Sequence, residues 1–209
     1  MMSELHNPDQ AYLLHMTQIE ELLRTCEADE KHARQVCRLA LDLFHQVNPI
    51  FNMSTQERTW LEYAALLHDI GWVQGRQGHH KASLEIILNT PILDLSNKER
   101  LVIGSIARYH RKAAPSKRHD HYAALRDSER KTTRRLSAIL RMGNALDASH
   151  QSLVDTLHVQ IKKKHLLITC FVTGDPIQER EKVEISRKYL ERECKKDVQI
   201  KWQFNEVVL

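Results

Sequence analysis

Hydrophobic residues recur at every third or fourth position through the first part of the chain, a spacing that predicts a series of amphipathic helices. Gly71 predicts the end of one of them. Further helices are predicted around "KASLEIILN" and over Ser128 to Ala148, with one short helix in the basic loop between them. The predicted helix starts are Asn7-Pro8, the N-cap Asp29, and the capping boxes Ser54-x-x-Glu57 and Ser96-x-x-Glu99.

The period changes after about Ser152, where polar and apolar residues begin to alternate. The stretch "TLHVQIKKKHLLITCFV" predicts two strands joined by a lysine-rich turn, "IQEREKVEISRKYLERECKK" predicts a charged helix, and "DVQIKWQF" predicts a last strand. We therefore expect a mainly α protein with a helical domain over residues 1–151. A small β-β-α-β appendage over residues 152–209 is expected to pack on it, because it is too small to bury a core of its own.

The composition is that of a globular protein and argues against secreted and membrane-spanning proteins. The 209 residues are 42% hydrophobic and 28% charged, with six Gly and five Pro, which is typical of a globular protein. The N-terminus lacks the apolar core of a secretion signal, and no run approaches the about 18 apolar residues of a membrane span, so a cytoplasmic protein is expected. The four cysteines form no metal-binding spacing and are expected to be buried free thiols.

Charge is unevenly distributed along the chain. The net charge is +4, which does not by itself indicate a nucleic-acid partner, but residues 100–135 hold eleven Lys and Arg against three acids. We expect this region to attract a small anion.

Two His-Asp pairs occur in the sequence, and their surroundings differ. His119-Asp120 lies in the basic loop, where a solvated turn is the simpler interpretation. His68-Asp69 follows an apolar helix on which Leu61 shares a face with His68, so this imidazole is expected to point inward.

Other polar residues also fall on apolar helical faces, and several separate helices thus direct one potential ligand each towards a shared interior. They are His32, His80 with His79 as the alternative, His110 and Asp147. Neutral imidazoles and carboxylates that meet inside a helical domain suit one or two divalent ions, with Mn, Fe, Co, Ni, Zn and Mg all compatible. Asp69 is placed to bridge two ions and to act as a catalytic residue, since metal binding lowers the pKa of a water to about 7 in favourable cases.

In this order, His32, His68-Asp69 and Asp147 resemble the metal-binding signature of the HD superfamily of phosphohydrolases. The segments "LEYAALLHDIG", "HHKASLEIILN", "ARYHRK" and "LSAILRMGNALD" are more closely similar to the C-terminal HD region of the exopolyphosphatase and guanosine pentaphosphate phosphatase (Ppx/GppA) family. The resemblance implies an HD-type helical bundle. It also implies that His80 and His110 complete a second metal site.

Two departures from these families limit what the resemblance implies. No glycine-rich phosphate loop precedes His32, so the phosphoanhydride chemistry of the family's N-terminal actin-like domains is not carried over. Trp72 follows "HDIG" where cyclic-dinucleotide phosphodiesterases of the superfamily commonly have lysine, which disfavours a cyclic dinucleotide as substrate.

Two hypotheses follow from the sequence. The first is a metal-dependent phosphohydrolase that acts on a phosphate ester or anhydride of a nucleotide-like small anion, with Arg108, Arg111 and Lys112 binding the phosphate. The second is a non-catalytic module that binds a phosphorylated ligand, polyphosphate or a partner protein. The intact His, His-Asp, Asp set favours the enzyme. Neither a membrane nor a nucleic acid is expected as a partner, and a homodimer is compatible with the sequence.

Overall fold

Eight α-helices and a three-stranded sheet make up the described part of the chain, residues 8–91 and 95–205 of a computed structural model. The helices are α1 Pro8–Thr25, α2 Glu30–Phe51, α3 Thr55–Leu66, α4 His79–Asn89, α5 Asn97–Arg108, α6 Asp120–Ala123, α7 Asp127–Ala145 and α8 Ile177–Cys194. The strands are β1 Val154–Ile161, β2 His165–Val172 and β3 Asp197–Phe204, and a 3₁₀ segment spans Ile70–Gln74. The predicted mainly helical fold with a β-β-α-β end is confirmed.

The predicted helix starts are confirmed wherever the structure describes them. The Asp29 carboxylate accepts a hydrogen bond from the His32 N–H, and both capping boxes are formed. Pro8 is the first residue of α1, and Asn7 lies outside the described residues.

The predicted helix ends were less accurate. Helix α3 ends at Leu66, so the expectation that Gly71 stops this helix is wrong. Gly71 lies in the 3₁₀ segment, where an added Cβ would be 2.1 Å from the His79 carbonyl oxygen, so glycine is needed for the close approach of α4. Helix α7 ends at Ala145 rather than Ala148.

The three strands form one sheet in the order β1-β2-β3. Strands β1 and β2 are antiparallel, with Val159 opposite Ile168, whereas β3 runs parallel to β2 after the crossover through α8. Gln46 of α2 holds the edge strand β1, since its side chain donates to the Leu157 carbonyl and accepts from the Val159 N–H. The appendage is therefore tied to the helical part through α2 as well as through α8.

The main core lies between α2, α3, α5 and α7. Gly143 allows α7 to approach α2 closely, because a Cβ at this position would be 3.1 Å from both the Ala40 Cβ and the Val36 carbonyl oxygen. This contact brings the end of α7 next to His32 at the start of α2. The four cysteines are buried and free, as predicted. Among the described residues, no helix combines the length and the apolar character needed to cross a membrane.

Candidate metal centre

Four imidazoles surround the carboxylate of Asp69. Its Oδ1 lies 3.1 Å from His79 Nε2 and 3.3 Å from His110 Nε2. Its Oδ2 lies 3.6 Å from His68 Nε2 and 4.0 Å from His32 Nε2. All four histidines are buried, at 2% exposure or less. One carboxylate thus faces four ring nitrogens from separate segments of the chain.

Three of these rings are oriented by the same local hydrogen bond. In each, Nδ1 lies within hydrogen-bond distance of the backbone carbonyl three residues earlier, and the N–H donates. For His68 and His110 this carbonyl belongs to the last turn of α3 or α5, where carbonyls have no partner within the helix. The bonds fix the tautomer and turn the Nε2 lone pair towards Asp69. They are His68 to Ala65 at 2.7 Å, His110 to Ala107 at 2.7 Å, and His79 to Arg76 at 3.0 Å.

His32 is oriented by Asp147 instead. Its Nδ1 donates to Asp147 Oδ2 at 2.8 Å, and the other carboxylate oxygen of this fully buried aspartate accepts from the Ser152 N–H at 2.7 Å. Asp147 therefore contacts the Nδ1 side of His32, whereas Nε2 is the nitrogen that lies near Asp69, and Asp147 belongs to neither His/Asp group. The side-chain oxygen of Asn144 lies 3.1 Å from His32 Nε2, on the side where Asp147 was expected.

Burial and neighbouring side chains shift the pKa values of these groups in different directions. Burial lowers the pKa of His68 and holds that of His110 well below its usual range. Burial alone would raise the pKa of the Asp69 carboxyl, but the surrounding imidazoles, His68 first, hold it well below its usual range. Burial also opposes protonation of His32, but the hydrogen bond and charge of Asp147 raise its pKa above the ordinary value.

Unpartnered atoms test whether this arrangement suits a metal ion. His68 Nε2 and Asp69 Oδ1 are buried and have no hydrogen-bond partner, although lone pairs of other side chains face them. An ionised carboxylate among neutral imidazole lone pairs is costly unless a cation lies between them. Two groups have ligand atoms close enough for this, His32-His68-Asp69 and Asp69-His79-His110. The side chains therefore fit one or two divalent ions, with Asp69 shared.

The second group contains His79 where His80 was the first choice from sequence. His80 is buried, but its Nδ1 has no partner and the residue belongs to neither group. Burial, followed by the nearby Arg108 guanidinium, lowers the pKa of His80 to about 4. Because both residues begin α4, a difference of one position rotates the side chain by about 100° around the helix axis.

Separate replacement of His79 and His80 should show which of the two binds a metal ion. We expect His79→Ala to weaken metal binding at the second group by roughly tenfold or more, because it removes one of the three side chains that could hold an ion there. His80→Ala is the matched control and should leave metal affinity unchanged. Titration calorimetry with Mn²⁺ and metal analysis of the purified variants measure both effects. Equal losses in the two variants would contradict the placement of His79.

A cleft of about 500 Å³ opens next to the Asp69 carboxylate. Asp69 is the one acid in its lining, as far as the structure describes the chain, and the cations in the lining are Arg76, Arg111, Lys112, Arg141 and Lys182. Such an excess of positive charge favours an anionic ligand. The predicted phosphate-binding residues Arg111 and Lys112 are in this lining, and Arg111 Nη1 lies 3.3 Å from His79 Nε2. Arg108 is not in the lining; it is buried with its guanidinium 5.7 Å from the Tyr109 ring centroid.

Sequence reasoning missed Arg141. This buried side chain donates from all three of its guanidinium nitrogens, to the carbonyls of Tyr109, Lys112 and Ala113 at 3.0, 3.1 and 2.8 Å. It also stacks on Tyr189 of α8, 3.9 Å from the ring centroid. It thereby holds the segment that carries His110, Arg111 and Lys112. The signal in the sequence was an arginine inside the apolar run "AILRM".

Comparison with known proteins places this chain in a family. The sequence matches the family described as "Ppx/GppA phosphatase, domain III" over residues 14–191, which is most of the chain and includes all of the residues above. A protein of Pseudoalteromonas translucida (strain TAC 125), named guanosine-5'-triphosphate,3'-diphosphate pyrophosphatase, is 32% identical over 112 residues. The alignment covers 53% of this chain and 22% of that protein, so the chain spans about a fifth of the length of this relative. The chain belongs to the Ppx/GppA phosphatase domain III family.

Proposed function

We propose that this protein is a metal-dependent phosphohydrolase of the HD type, acting on a phosphate ester or anhydride of a small anion. The observation that supports it best is the convergence of four imidazole nitrogens on the half-buried Asp69 carboxylate, whose buried Oδ1 has no hydrogen-bond partner. A site that only stabilised the fold would be expected to pair these groups with donors.

The two groups would hold two ions with Asp69 shared between them. His32 and His68 would complete the first group, with the Asn144 oxygen beside them, and His79 and His110 would complete the second. The chemistry that divalent ions supply in such sites is polarisation of a phosphoryl oxygen and activation of water at neutral pH.

The basic residues of the cleft would bind the phosphate. Arg111 lies against His79 and can offer paired N–H donors to phosphate oxygens, whereas Lys112 acts as a point charge. Because they line the same cleft as Asp69, they would hold the phosphate close to the residues that could bind the ions. They would also neutralise charge that develops on the phosphoryl oxygens in the transition state.

A non-catalytic binding module is the second candidate. The excess of cations over acids in the cleft favours it, because this charge can retain a phosphorylated ligand or a polyphosphate without any chemistry. It gives no reason for four histidines to direct Nε2 at one carboxylate, which is why the hydrolase is preferred.

Metal loading and turnover distinguish the two candidates. The protein is stripped with a chelator and loaded separately with Mn²⁺, Fe²⁺, Co²⁺, Ni²⁺, Zn²⁺ or Mg²⁺. It is then assayed for bound metal and for hydrolysis of phosphomonoesters, phosphodiesters and nucleoside di- and triphosphates. We expect one or two ions per chain and phosphate release that stops on chelation. If no metal binds stoichiometrically, the hydrolase proposal is wrong. Tight metal-independent binding without turnover would support the binding module.

A further inference from the structure

Two large apolar side chains are left exposed at the same cationic cleft. Trp72 is 38% exposed and Ile185 is 59% exposed, and both line the cleft beside Asp69. The part of the chain that the structure describes has seven such exposed hydrophobic residues, so two of them meet at one site. Exposed apolar side chains within a charged cleft have no value for binding phosphate alone.

Trp72 is held as a flat surface next to the candidate metal centre. Its indole stacks on His79, with ring centroids 5.1 Å apart and planes at 29°. The exposed Arg76 guanidinium lies 5.7 Å from the indole centroid and can share this surface with a ligand ring or move aside. A ring placed against Trp72 would therefore lie one side chain away from the Asp69-His79-His110 group.

Helix α8 supplies another part of the cleft lining. Gln178, Lys182, Ile185 and Ser186 line the cleft, and their spacing places them on one face of α8. The predicted appendage thus contributes both a cation and an exposed apolar side chain. Stacking of α8 on α7 through Tyr189 and Arg141 holds this face in place.

We propose that the cleft binds a phosphate ester that carries a planar heteroaromatic ring, with a nucleoside monophosphate as its simplest form. The ring would lie between Trp72 and Ile185, and the phosphate would lie at Arg111 and Lys112. This inference rests on the proposed function for the reaction, but the ring contact itself requires neither bound metal nor turnover.

The chemistry of the two ends of the cleft supports this class of ligand. Bases stack on aromatic side chains and on arginine guanidinium planes, and this contact tolerates different bases because each has a π face. Inorganic phosphate chains lack a surface that would contact Trp72 or Ile185. A cleft of about 500 Å³ also lies within the range of sites for small organic ligands.

Binding of three probes tests the proposal. Adenosine 5'-monophosphate, ribose 5-phosphate and inorganic pyrophosphate are titrated by calorimetry into the metal-free full chain and into Trp72→Ala. We expect adenosine 5'-monophosphate to bind about tenfold more weakly to Trp72→Ala, as for loss of one base stack. The affinities for ribose 5-phosphate and pyrophosphate should change less than about twofold, because neither probe has a ring to stack on Trp72. Val73→Ala is the matched control, since Val73 is exposed but outside the cleft lining.

The outcomes separate this inference from the proposed function. If Trp72→Ala binds adenosine 5'-monophosphate as the unchanged chain does, or if ribose 5-phosphate or pyrophosphate binds as tightly as the nucleotide, the ring site is wrong. Hydrolysis of ring-free phosphate esters by the metal-loaded chain would still support the hydrolase. Conversely, selective nucleotide binding by a chain that takes up no metal would support the ring site and overturn the hydrolase.

Discussion

Asp69→Ala is expected to remove metal binding from both groups and to abolish phosphate release. Asp69 is the one residue that the two groups share, and its oxygens lie 3.1 to 4.0 Å from the four Nε2 atoms. Loss of an outer hydrogen-bond partner of a metal ligand already costs about 10- to 100-fold in affinity, so loss of the shared ligand should cost more than about 100-fold. Metal analysis and a phosphate-release assay measure the two effects.

The same variant should behave differently in stability measurements with and without metal. In the metal-free chain the imidazoles hold the pKa of the Asp69 carboxyl well below its usual range, so its ionised form stabilises the fold at neutral pH and its removal should lower the melting temperature. Added Mn²⁺ should stabilise the unchanged chain by mass action and should leave Asp69→Ala unaffected. Thermal unfolding of both proteins with and without Mn²⁺ gives the comparison.

Asp120→Ala is the matched control, because Asp120 belongs to the second His-Asp pair of the chain. It lies in the first turn of the short helix α6 and is exposed. We expect this variant to retain metal and activity. Turnover that persists in Asp69→Ala would contradict the site, and equal losses in both variants would show that the effect is not specific to Asp69.

The helices and strands could be predicted because their signals are local. Capping boxes at Ser54 and Ser96 satisfy helix N–H groups within four residues, and the alternation through Val159 and Ile168 reflects the two faces of a strand. Helix ends could not be placed as well, since the end of α3 depends on the approach of α4 to Gly71. That contact joins Gly71 to His79 and Ser83, which are 8 and 12 positions away, farther than the range of a capping signal.

The convergence of histidines with an aspartate was predicted from the sequence, but two of the predicted positions differ from those in the structure. His32, His68, Asp69 and His110 converge as expected. The choice between His79 and His80 depended on the rotation of α4, which apolar spacing does not fix to one residue. Asp147 was placed on a helical face, but α7 ends at Ala145, so the carboxylate instead reaches the Nδ1 side of His32.

The substrate side of the cleft was the least predictable part. Arg111 and Lys112 were found from their nearness to His110 in sequence, and both line the cleft. Lys182 and Ile185 are more than a hundred residues from Asp69, and nothing local links them to it. Only the packing of α8 against α7 brings them to the same opening.

Arg141→Met is expected to destabilise the fold more than loss of an ordinary surface arginine. It would remove the Arg141 hydrogen bonds from three backbone carbonyls, of which, in the described part of the chain, only that of Lys112 also accepts from the Tyr189 hydroxyl, at 3.4 Å, and it would remove the stack on Tyr189. A hydrogen bond to a charged group contributes about 1.5 to 3 kcal/mol, so the loss of three should cost about 3 kcal/mol or more, which corresponds to a fall of about 10 °C in melting temperature for a chain of this size. Thermal and urea unfolding provide the measurement.

Two further variants, Arg135→Met and Arg141→Lys, show whether Arg141 acts through its hydrogen bonds to the segment that carries His110 or through its positive charge. Arg135 lies on the same helix and donates to one carbonyl, that of Phe51 at 3.0 Å, so its replacement should cost about 1 kcal/mol. Arg141→Lys keeps the charge of the cleft but cannot reach three carbonyls at once. If Arg141 positions the segment with His110, Arg111 and Lys112, this variant should also bind inorganic phosphate more weakly and melt at a lower temperature. Recovery of both properties in Arg141→Lys would show that its charge alone is needed.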